Sequence, residues 1–129
     1  MADTPTRRPV ILLLEDEVEL SGTISENLSK DFEVETATSA EDAMLLLASR
    51  EYDALVCDHM LPGPMQGLDF LMEAVKRQPA ARRLLITGYM NPELLSRSVI
   101  AAGLSDCLMK PVSVERLRQA LWEAGVKPA

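Results

Sequence analysis

The chain has 129 residues, with 13 Lys and Arg side chains against 20 Asp and Glu, and its net charge is −7 near neutral pH. This length predicts one domain with a core that needs no disulfides, and the acidic balance argues against nucleic-acid binding by this domain alone. No apolar run approaches the roughly 18 residues of a membrane span, and the polar start lacks the apolar region of a signal peptide. Cys57 and Cys107 lie in apolar runs, which suits reduced thiols, so we expect a cytoplasmic protein.

Short runs of strand-forming residues alternate with amphipathic segments along the chain. The runs predict strands at Val10–Leu14, Glu33–Ala37, Ala54–Cys57, Arg83–Thr87 and Asp106–Met109. The amphipathic segments predict helices at about 17–30, 39–49, 67–78, 92–102 and 113–124, with Ser39 and Ser113 as N-caps. Parallel strands need crossover connections, and those crossovers are right-handed. The order of elements therefore predicts an α/β fold, a doubly wound parallel sheet with helices on both faces.

Polar side chains gather where four of these strands end. They are Glu15 and Asp16 after the first strand, Asp58 after the third, Thr87 at the end of the fourth and Lys110 after the fifth. Each has an ordinary explanation alone, because acidic pairs favour helix starts and threonine is common in strands. Open α/β sheets bind ligands outside the carboxyl ends of their strands. Together, three carboxylates, a hydroxyl and an ammonium at this edge predict a functional site.

This set of groups favours phosphoryl chemistry. Carboxylates held close together repel one another unless a cation lies between them, and Mg²⁺ prefers oxygen ligands that include carboxylates and phosphate. Lys110 can neutralise a phosphate oxygen, and the Thr87 hydroxyl can donate to another. A carboxylate nucleophile is ionised at neutral pH and needs no general base. Asp58, on the middle strand, is therefore the candidate to form an acyl phosphate.

From Val10 to Ala124 the chain resembles the receiver domain of bacterial two-component response regulators. The resemblance lies in four motifs in order, which are Leu-Leu-Leu-Glu-Asp-Glu with Glu15 and Asp16, Tyr-Asp-Ala-Leu-Val-Cys-Asp-His-Met-Leu-Pro-Gly with Asp58, Leu-Leu-Ile-Thr-Gly with Thr87, and Leu-Met-Lys-Pro-Val with Lys110. It implies a flavodoxin-like sheet of strand order 2-1-3-4-5 with five helices. We expect residues 1–8 to be a disordered extension, 9–125 the receiver domain, and 126–129 a tail or the start of a linker.

The same resemblance implies roles for the individual residues. A sensor histidine kinase or a histidine phosphotransfer protein would donate a phosphoryl group to Asp58. Asp16, Asp58 and the backbone carbonyl of Met60 would ligate Mg²⁺, which Glu15 would reach through water. The chain would thus be a phosphoacceptor, with Mg²⁺-dependent self-phosphorylation and autodephosphorylation, rather than an enzyme proper. Its switching surface would be helix 4, strand 5 and helix 5, which is also a candidate surface for homodimerisation.

The sequence departs from the usual receiver pattern in three places. Glu15 replaces the more frequent aspartate, the loop 61–67 is one residue longer and has two prolines, and Cys107 takes the position of an aromatic switch residue. Our hypothesis is that Tyr89, just after Thr87, substitutes for that aromatic. Met60 and Tyr89 would flank the path of attacking water, and both are bulky. We therefore expect slow to moderate autodephosphorylation.

Three alternative functions remain open at this stage. A phosphohydrolase with an aspartyl phosphate commonly has a second aspartate two residues after the nucleophile, where this chain has Met60. A flavin-binding module needs a phosphate cradle after strand one, which Glu15-Asp16-Glu17 does not provide. A receiver-like binding module could act without phosphorylation. The resemblance to receivers is compatible with a single-domain regulator, a phosphate shuttle or sink, or a receiver from a larger regulator or hybrid kinase.

Overall fold

The computed structural model describes residues 7–88 and 91–128. Within these ranges five strands form one parallel sheet in the order β2-β1-β3-β4-β5. The strands are β1 Val10–Leu14, β2 Glu33–Ala37, β3 Ala54–Asp58, β4 Arg82–Thr87 and β5 Asp106–Met109. The helices are α1 Val18–Leu28, α2 Ala40–Ser49, α3 Gly67–Arg77, α4 Pro92–Ala102 and α5 Val114–Glu123. The predicted doubly wound sheet, its strand order and its five helices are confirmed.

Apolar side chains cover both faces of the sheet, in two separate clusters. Leu12, Leu14 and Leu55 point to one face and pack with residues of α2 and α3. Ile11 and Leu13 point to the other face, which α1 and α5 cover. Successive side chains of a strand face opposite sides, so a strand buried on both faces needs an unbroken apolar run. This explains the aliphatic sequences of β1 and β3.

The ends of the elements differ slightly from the predicted ones. Ser39 and Ser113 are N-caps, as predicted, and their side chains accept hydrogen bonds from the backbones of Asp42 and Arg116. Helix α1 is shorter than predicted at both ends. Strand β3 continues through Asp58, whose Cα is paired with that of Ile86 on β4. Asp58 is therefore the last residue of its strand and shares the order of the sheet.

Contacts near the chain ends lie at the edge of the sheet where the strands begin. Arg7 forms an ion pair with Asp53, and Arg8 donates a hydrogen bond to the Ser29 carbonyl. At the other end Val126 is buried, and its N–H donates to the Leu121 carbonyl. The longest helices in the described ranges have 11 residues, which is too short for a membrane span. Tyr89, the hypothetical substitute for the switch aromatic, lies outside the described residues.

Candidate functional site

The ends of β1 and β3 bring three carboxylates together. Glu15, Asp16 and Asp58 each present a carboxylate oxygen, and these oxygens lie within 4.8 Å of one another. β1 and β3 are adjacent parallel strands, so residues at their carboxyl ends are neighbours. Glu15 and Asp58 are each only 4% exposed, whereas Asp16 is exposed to solvent. The cluster therefore has a buried base and an open side.

Glu15 shows the electrostatic strain of this arrangement. Burial raises the pKa of Glu15 to about 7, a hydrogen bond from the Glu17 backbone opposes the shift, and the Asp58 carboxylate adds to it. That bond joins the Glu17 N–H to Glu15 Oε2 at 3.1 Å. Removal of a carboxylate from water penalises its charged form, and a second negative charge nearby increases the penalty. The site is thus suited to a cation.

Lys110 supplies a positive charge from the other side of Asp58. Its Nζ lies 2.9 Å from Asp58 Oδ2. Burial lowers the pKa of Lys110, but the hydrogen bond and the charge of Asp58 outweigh this effect, so the pKa is raised. The Lys110 N–H donates to the Thr87 carbonyl at 2.9 Å, which fixes the end of β5 against the end of β4. The peptide bond between Lys110 and Pro111 is cis.

Thr87 is the last residue of β4 and is buried. Its neighbour Ile86 is the register partner of Asp58, and Thr87 itself is the partner of Met109. The register places Thr87 between the strands that carry Asp58 and Lys110. The structure thus brings Glu15, Asp16, Asp58, Thr87 and Lys110 to one edge of the sheet, hereafter the carboxyl edge.

Met60 lies beside Asp58 but points its side chain to solvent. Its N–H approaches Asp58 Oδ1 at 3.4 Å, and the residue is 69% exposed. The structure therefore places the Met60 backbone next to the carboxylate.

The lone histidine, His59, has a buried Nδ1 without a hydrogen-bond partner in the part of the chain that the structure describes.

The loop after Met60 is held by a side chain that the sequence analysis did not single out. Gln66 accepts a hydrogen bond from the Leu61 N–H at 2.9 Å and donates to the carbonyls of Leu61 and Gly63 at 3.0 and 3.1 Å. Gln66 and Asp69 also form a capping box at the start of α3. The signal was present as Gln-x-x-Asp before an apolar helix, a variant of the known capping pattern.

Gly67 allows this loop to return to the sheet beside Asp58. Its N–H donates to the His59 carbonyl at 3.0 Å. A Cβ at this position would lie 2.1 Å from the Asp58 carbonyl oxygen and 2.9 Å from Cys57 Sγ. No real Cβ is tolerated so close to a backbone oxygen, so glycine is required here. The sequence identified Gly67 as the helix start but not this close approach.

The donor set at the carboxyl edge matches the preferences of Mg²⁺. Mg²⁺ takes oxygen ligands, commonly one or two carboxylates with waters and phosphate oxygens, in a near-octahedral arrangement. The clustered oxygens of Glu15, Asp16 and Asp58 are of this type. Burial, with the Asp58 charge adding to it, raises the pKa of Glu15, and a divalent cation would offset this penalty on its charged form. These residues therefore fit a hard divalent cation.

The fold and this edge together define a class: parallel α/β domains with an acidic pocket where the strands end. Within that class, the family model of the response regulator receiver domain matches residues 11–122. The chain belongs to this family. Receiver domains act in two-component signalling, where their general function is to accept a phosphoryl group on an aspartate.

Similar proteins agree with this assignment. The chain is 29% identical over 125 residues to the hydrogenase transcriptional regulatory protein HoxA of Cupriavidus necator, a match that covers 94% of this chain and 26% of that protein. It therefore spans about a quarter of that relative's length. Over 112 residues it is 34% identical to the phosphate regulon transcriptional regulatory protein PhoB of Rhizobium meliloti, covering 84% of this chain and 48% of that one.

A solved structure shows the same architecture. A CheY-like response regulator receiver domain protein from Methanospirillum hungatei superposes with a TM-score of 0.84 at 26% identity, covering 91% of this chain and 93% of that one. Sequence and structure comparisons therefore identify the same family.

Proposed function

We propose that this chain accepts a phosphoryl group on Asp58 from a sensor histidine kinase or a histidine phosphotransfer protein. The observation that supports this proposal most directly is the placement of Asp58, buried at the end of the central strand with Lys110 Nζ at 2.9 Å. Its carboxylate also lies in a cluster with Glu15 and Asp16. A nucleophile, a cation and further acidic ligands are the parts that phosphoryl transfer to a carboxylate needs.

The transfer step assigns a role to each side chain. An Asp58 oxygen forms a bond to phosphorus while the bond between phosphorus and the donor imidazole breaks, and the imidazole leaves with the electron pair. Lys110 moves its charge from the Asp58 carboxylate to a phosphoryl oxygen. The Thr87 hydroxyl donates a hydrogen bond to another phosphoryl oxygen. Since Thr87 ends β4 and Lys110 follows β5, these contacts would couple phosphorylation to the position of both strands.

Asp16, Asp58 and the Met60 carbonyl would hold Mg²⁺, with Glu15 reaching it through water. Bound there, the ion supplies positive charge against which phosphoryl oxygens are stabilised. Mg²⁺-dependent self-phosphorylation from small phosphodonors and autodephosphorylation follow from the same site. Met60 is bulky, and its N–H lies 3.4 Å from Asp58 Oδ1, which supports slow to moderate hydrolysis. We place this chemistry in the cytoplasm.

The output surface is formed by α4, β5 and α5. Phosphorylation adds about −1.5 to −2 charges and three acceptor oxygens beside Thr87 and Lys110, at the start of the segments that lead into this surface. These three elements have exposed large apolar side chains, including Ile100 at 84%, Met109 and Trp122. Exposed apolar groups of this kind suit protein contacts. A homodimer or another protein partner would bind here, and this domain alone would not bind nucleic acid.

The test is incubation with acetyl phosphate and Mg²⁺, followed by intact-protein mass and oligomeric state. Wild type should gain one phosphoryl group when Mg²⁺ is present and none when Mg²⁺ is chelated beforehand, and the modified protein should change its oligomeric state or partner binding. Asp58→Asn should not be modified. Asp42→Asn removes an exposed carboxylate at the start of α2 and is the matched control, which should behave as wild type. Equal modification of Asp58→Asn and wild type would exclude the proposal.

A further inference from the structure

A cavity opens at the opposite end of the sheet from Asp58, at the amino edge where β1, β3 and β4 begin. Its volume is about 760 Å³. Its walls come from the chain before β1, the connections between α2 and β3 and between α3 and β4, and the chain after α5. Binding sites for small molecules have volumes of about 300–1,000 Å³, so this cavity has the size of a ligand site. Neither the acidic cluster nor Lys110 belongs to it.

Some charges in its wall are already neutralised. Arg7 donates to both carboxylate oxygens of Asp53, at 2.9 and 3.2 Å, and Asp53 also accepts the Val10 N–H at 2.7 Å. The bond from Val10 holds the Asp53 carboxylate at the start of β1, and the more exposed Arg7 neutralises its charge. Arg7 and Asp53 therefore form part of the wall and contribute little net charge.

Other cations in the wall have no such partner. Within residues 7–88 and 91–128, Arg77, Arg82 and Lys127 line the cavity without a carboxylate at ion-pair distance. The ammonium of Lys127 lies over the Trp122 ring, 4.6 Å from its centroid, a contact that leaves its positive charge in place. Against them stands the carboxylate of Glu51, which is exposed. The wall therefore has a local excess of two positive charges in a protein whose net charge is −7. A dianion would balance it.

Arg82 is oriented for this task. Its Nε donates to the Ala124 carbonyl at 2.8 Å, which anchors the guanidinium to the end of α5. In the described part of the chain its two terminal nitrogens make no hydrogen bond, so their donors are available to a ligand. A planar guanidinium binds phosphate or carboxylate through two parallel hydrogen bonds.

Apart from Gln78 and Gly125, the uncharged residues of the wall have apolar or aromatic side chains. Tyr52, Ala81 and Val126 are buried parts of the core that reach the cavity, and Pro9 and Pro79 complete this side. Backbone hydrogen bonds hold two sides of the cavity in place. Arg82 donates its N–H to the Asp53 carbonyl, and Val126 donates its N–H to the Leu121 carbonyl. An organic group can therefore lie against a preformed surface while its charged end meets the arginines.

We propose that this cavity binds a small phosphate monoester, with the phosphate on Arg77, Arg82 and Lys127 and the organic group against Pro79 and Val126. A phosphate monoester carries close to two negative charges at neutral pH, because its second pKa lies near 6. Asp58 is at the other end of β3, a strand of five residues that is about 16 Å long at 3.3 Å per residue. Ligand binding and phosphorylation of Asp58 can therefore occur on the same molecule.

The experiment is an amide NMR titration of the full chain with phenyl phosphate at physiological salt. Saturable shifts are expected at Ala80, Ala81 and Val126. Arg82→Gln and, separately, Arg77→Gln should weaken binding about tenfold each, which is the loss expected for one charge-assisted contact. Arg77 makes no described side-chain hydrogen bond, so its substitution leaves the fold intact even if Arg82→Gln does not.

Lys76→Gln is the matched control, because Lys76 precedes Arg77 on α3, pairs with Glu73 and does not line the cavity. It should bind phenyl phosphate as wild type does. Equal weakening by Lys76→Gln would reveal general attraction to surface charge and overturn the proposal. Absence of saturation up to millimolar ligand would also overturn it, as would equal affinity for inorganic phosphate, which has no organic group to use the apolar wall.

Discussion

Polar groups are clustered with like charges at the carboxyl edge of the sheet and are mostly paired at the amino edge. At the carboxyl edge, carboxylates lie close to one another, and burial together with the Asp58 charge raises the pKa of Glu15. At the amino edge, Asp53 is paired with Arg7 and the Val10 N–H, and the Gln78 side chain binds the backbones of Leu47, Arg50 and Tyr52. Paired polar groups stabilise a fold, whereas a cluster of like charges is typical of a site that binds a ligand. The cations of the amino-edge cavity are the exception there, which is why they suggest a ligand.

Gly67→Ala should have the largest effect, because it forces a Cβ against the Asp58 carbonyl at the carboxyl edge. We expect unfolding free energy to fall by about 3 kcal/mol, the upper range for overpacking. Phosphorylation of Asp58 should slow as well, since the strand end must move. Gly22→Ala, in α1 with open space around its Cβ, is the control and should stabilise by about 0.5–1 kcal/mol. Urea unfolding of both variants tests this, and equal effects would be inconsistent with a special role for Gly67.

Lys110→Met should slow phosphorylation of Asp58 by about 100-fold, as removal of one charge-stabilising group does in other active sites. Among the described residues Lys110 is the cation in contact with Asp58, and Met is an unbranched side chain of similar length without the charge. The rate of modification by acetyl phosphate at saturating Mg²⁺ is the measurement. Lys76→Met, on an exposed face of α3, should leave the rate unchanged. A Lys110 variant as fast as wild type would remove this residue from the mechanism.

Arg83→Met should lower stability by about 2 kcal/mol with little effect on phosphorylation, because buried carbonyls lose their donor. Arg83 is a buried cation on β4 whose guanidinium donates to the carbonyls of Ala81, Ala102 and Gly103. It therefore joins the end of α4 to the start of β4. Urea unfolding of Arg83→Met and Arg116→Met tests this prediction, because the exposed Arg116 on α5 pairs with Asp106 on β5. Arg116→Met should cost less than about 1 kcal/mol. A similar cost for both would mean that burial gives Arg83 no added role.

Asp53→Asn should have a smaller effect that depends on pH. Burial raises the pKa of Asp53, but the hydrogen bonds from Arg7 and Val10 and the charge of Arg7 lower it more, so the net shift is downward. A depressed carboxyl pKa gives stability that is present above the unfolded pKa, near 3.9, and lost as pH falls through the folded value. At pH 7 the unfolding free energy of wild type should exceed that of Asp53→Asn by about 1 kcal/mol. Urea unfolding from pH 7 to pH 2 should show this difference disappear below about pH 4, and a constant difference would contradict it.

The fold could be predicted because its signals are local. Unbroken aliphatic runs mark β1 and β3 as buried strands, and the capping serines Ser39 and Ser113 mark helix starts. The candidate site residues could be named for a related reason, since each follows or ends a predicted strand and parallel strands end at one edge.

What the sequence did not reveal depends on contacts between distant segments. Arg83 was read as the start of a strand, because nothing in its neighbours shows that carbonyls of α4 surround it. The requirement for glycine at position 67 arises only when the loop folds back on Asp58. The amino-edge cavity joins Arg82 to Lys127, which are far apart in sequence and meet only in the folded chain.

The most direct test of this account locates the acceptor on the chain. After treatment with acetyl phosphate and Mg²⁺, borohydride reduction converts an aspartyl phosphate to homoserine, and peptide mass spectrometry finds its position. We expect the label at Asp58, in wild type and in Asp53→Asn alike, and no label when Mg²⁺ is chelated. A label at Asp53 or Asp16, or no label with Mg²⁺ present, would contradict the assignment of phosphoryl chemistry to the carboxyl edge.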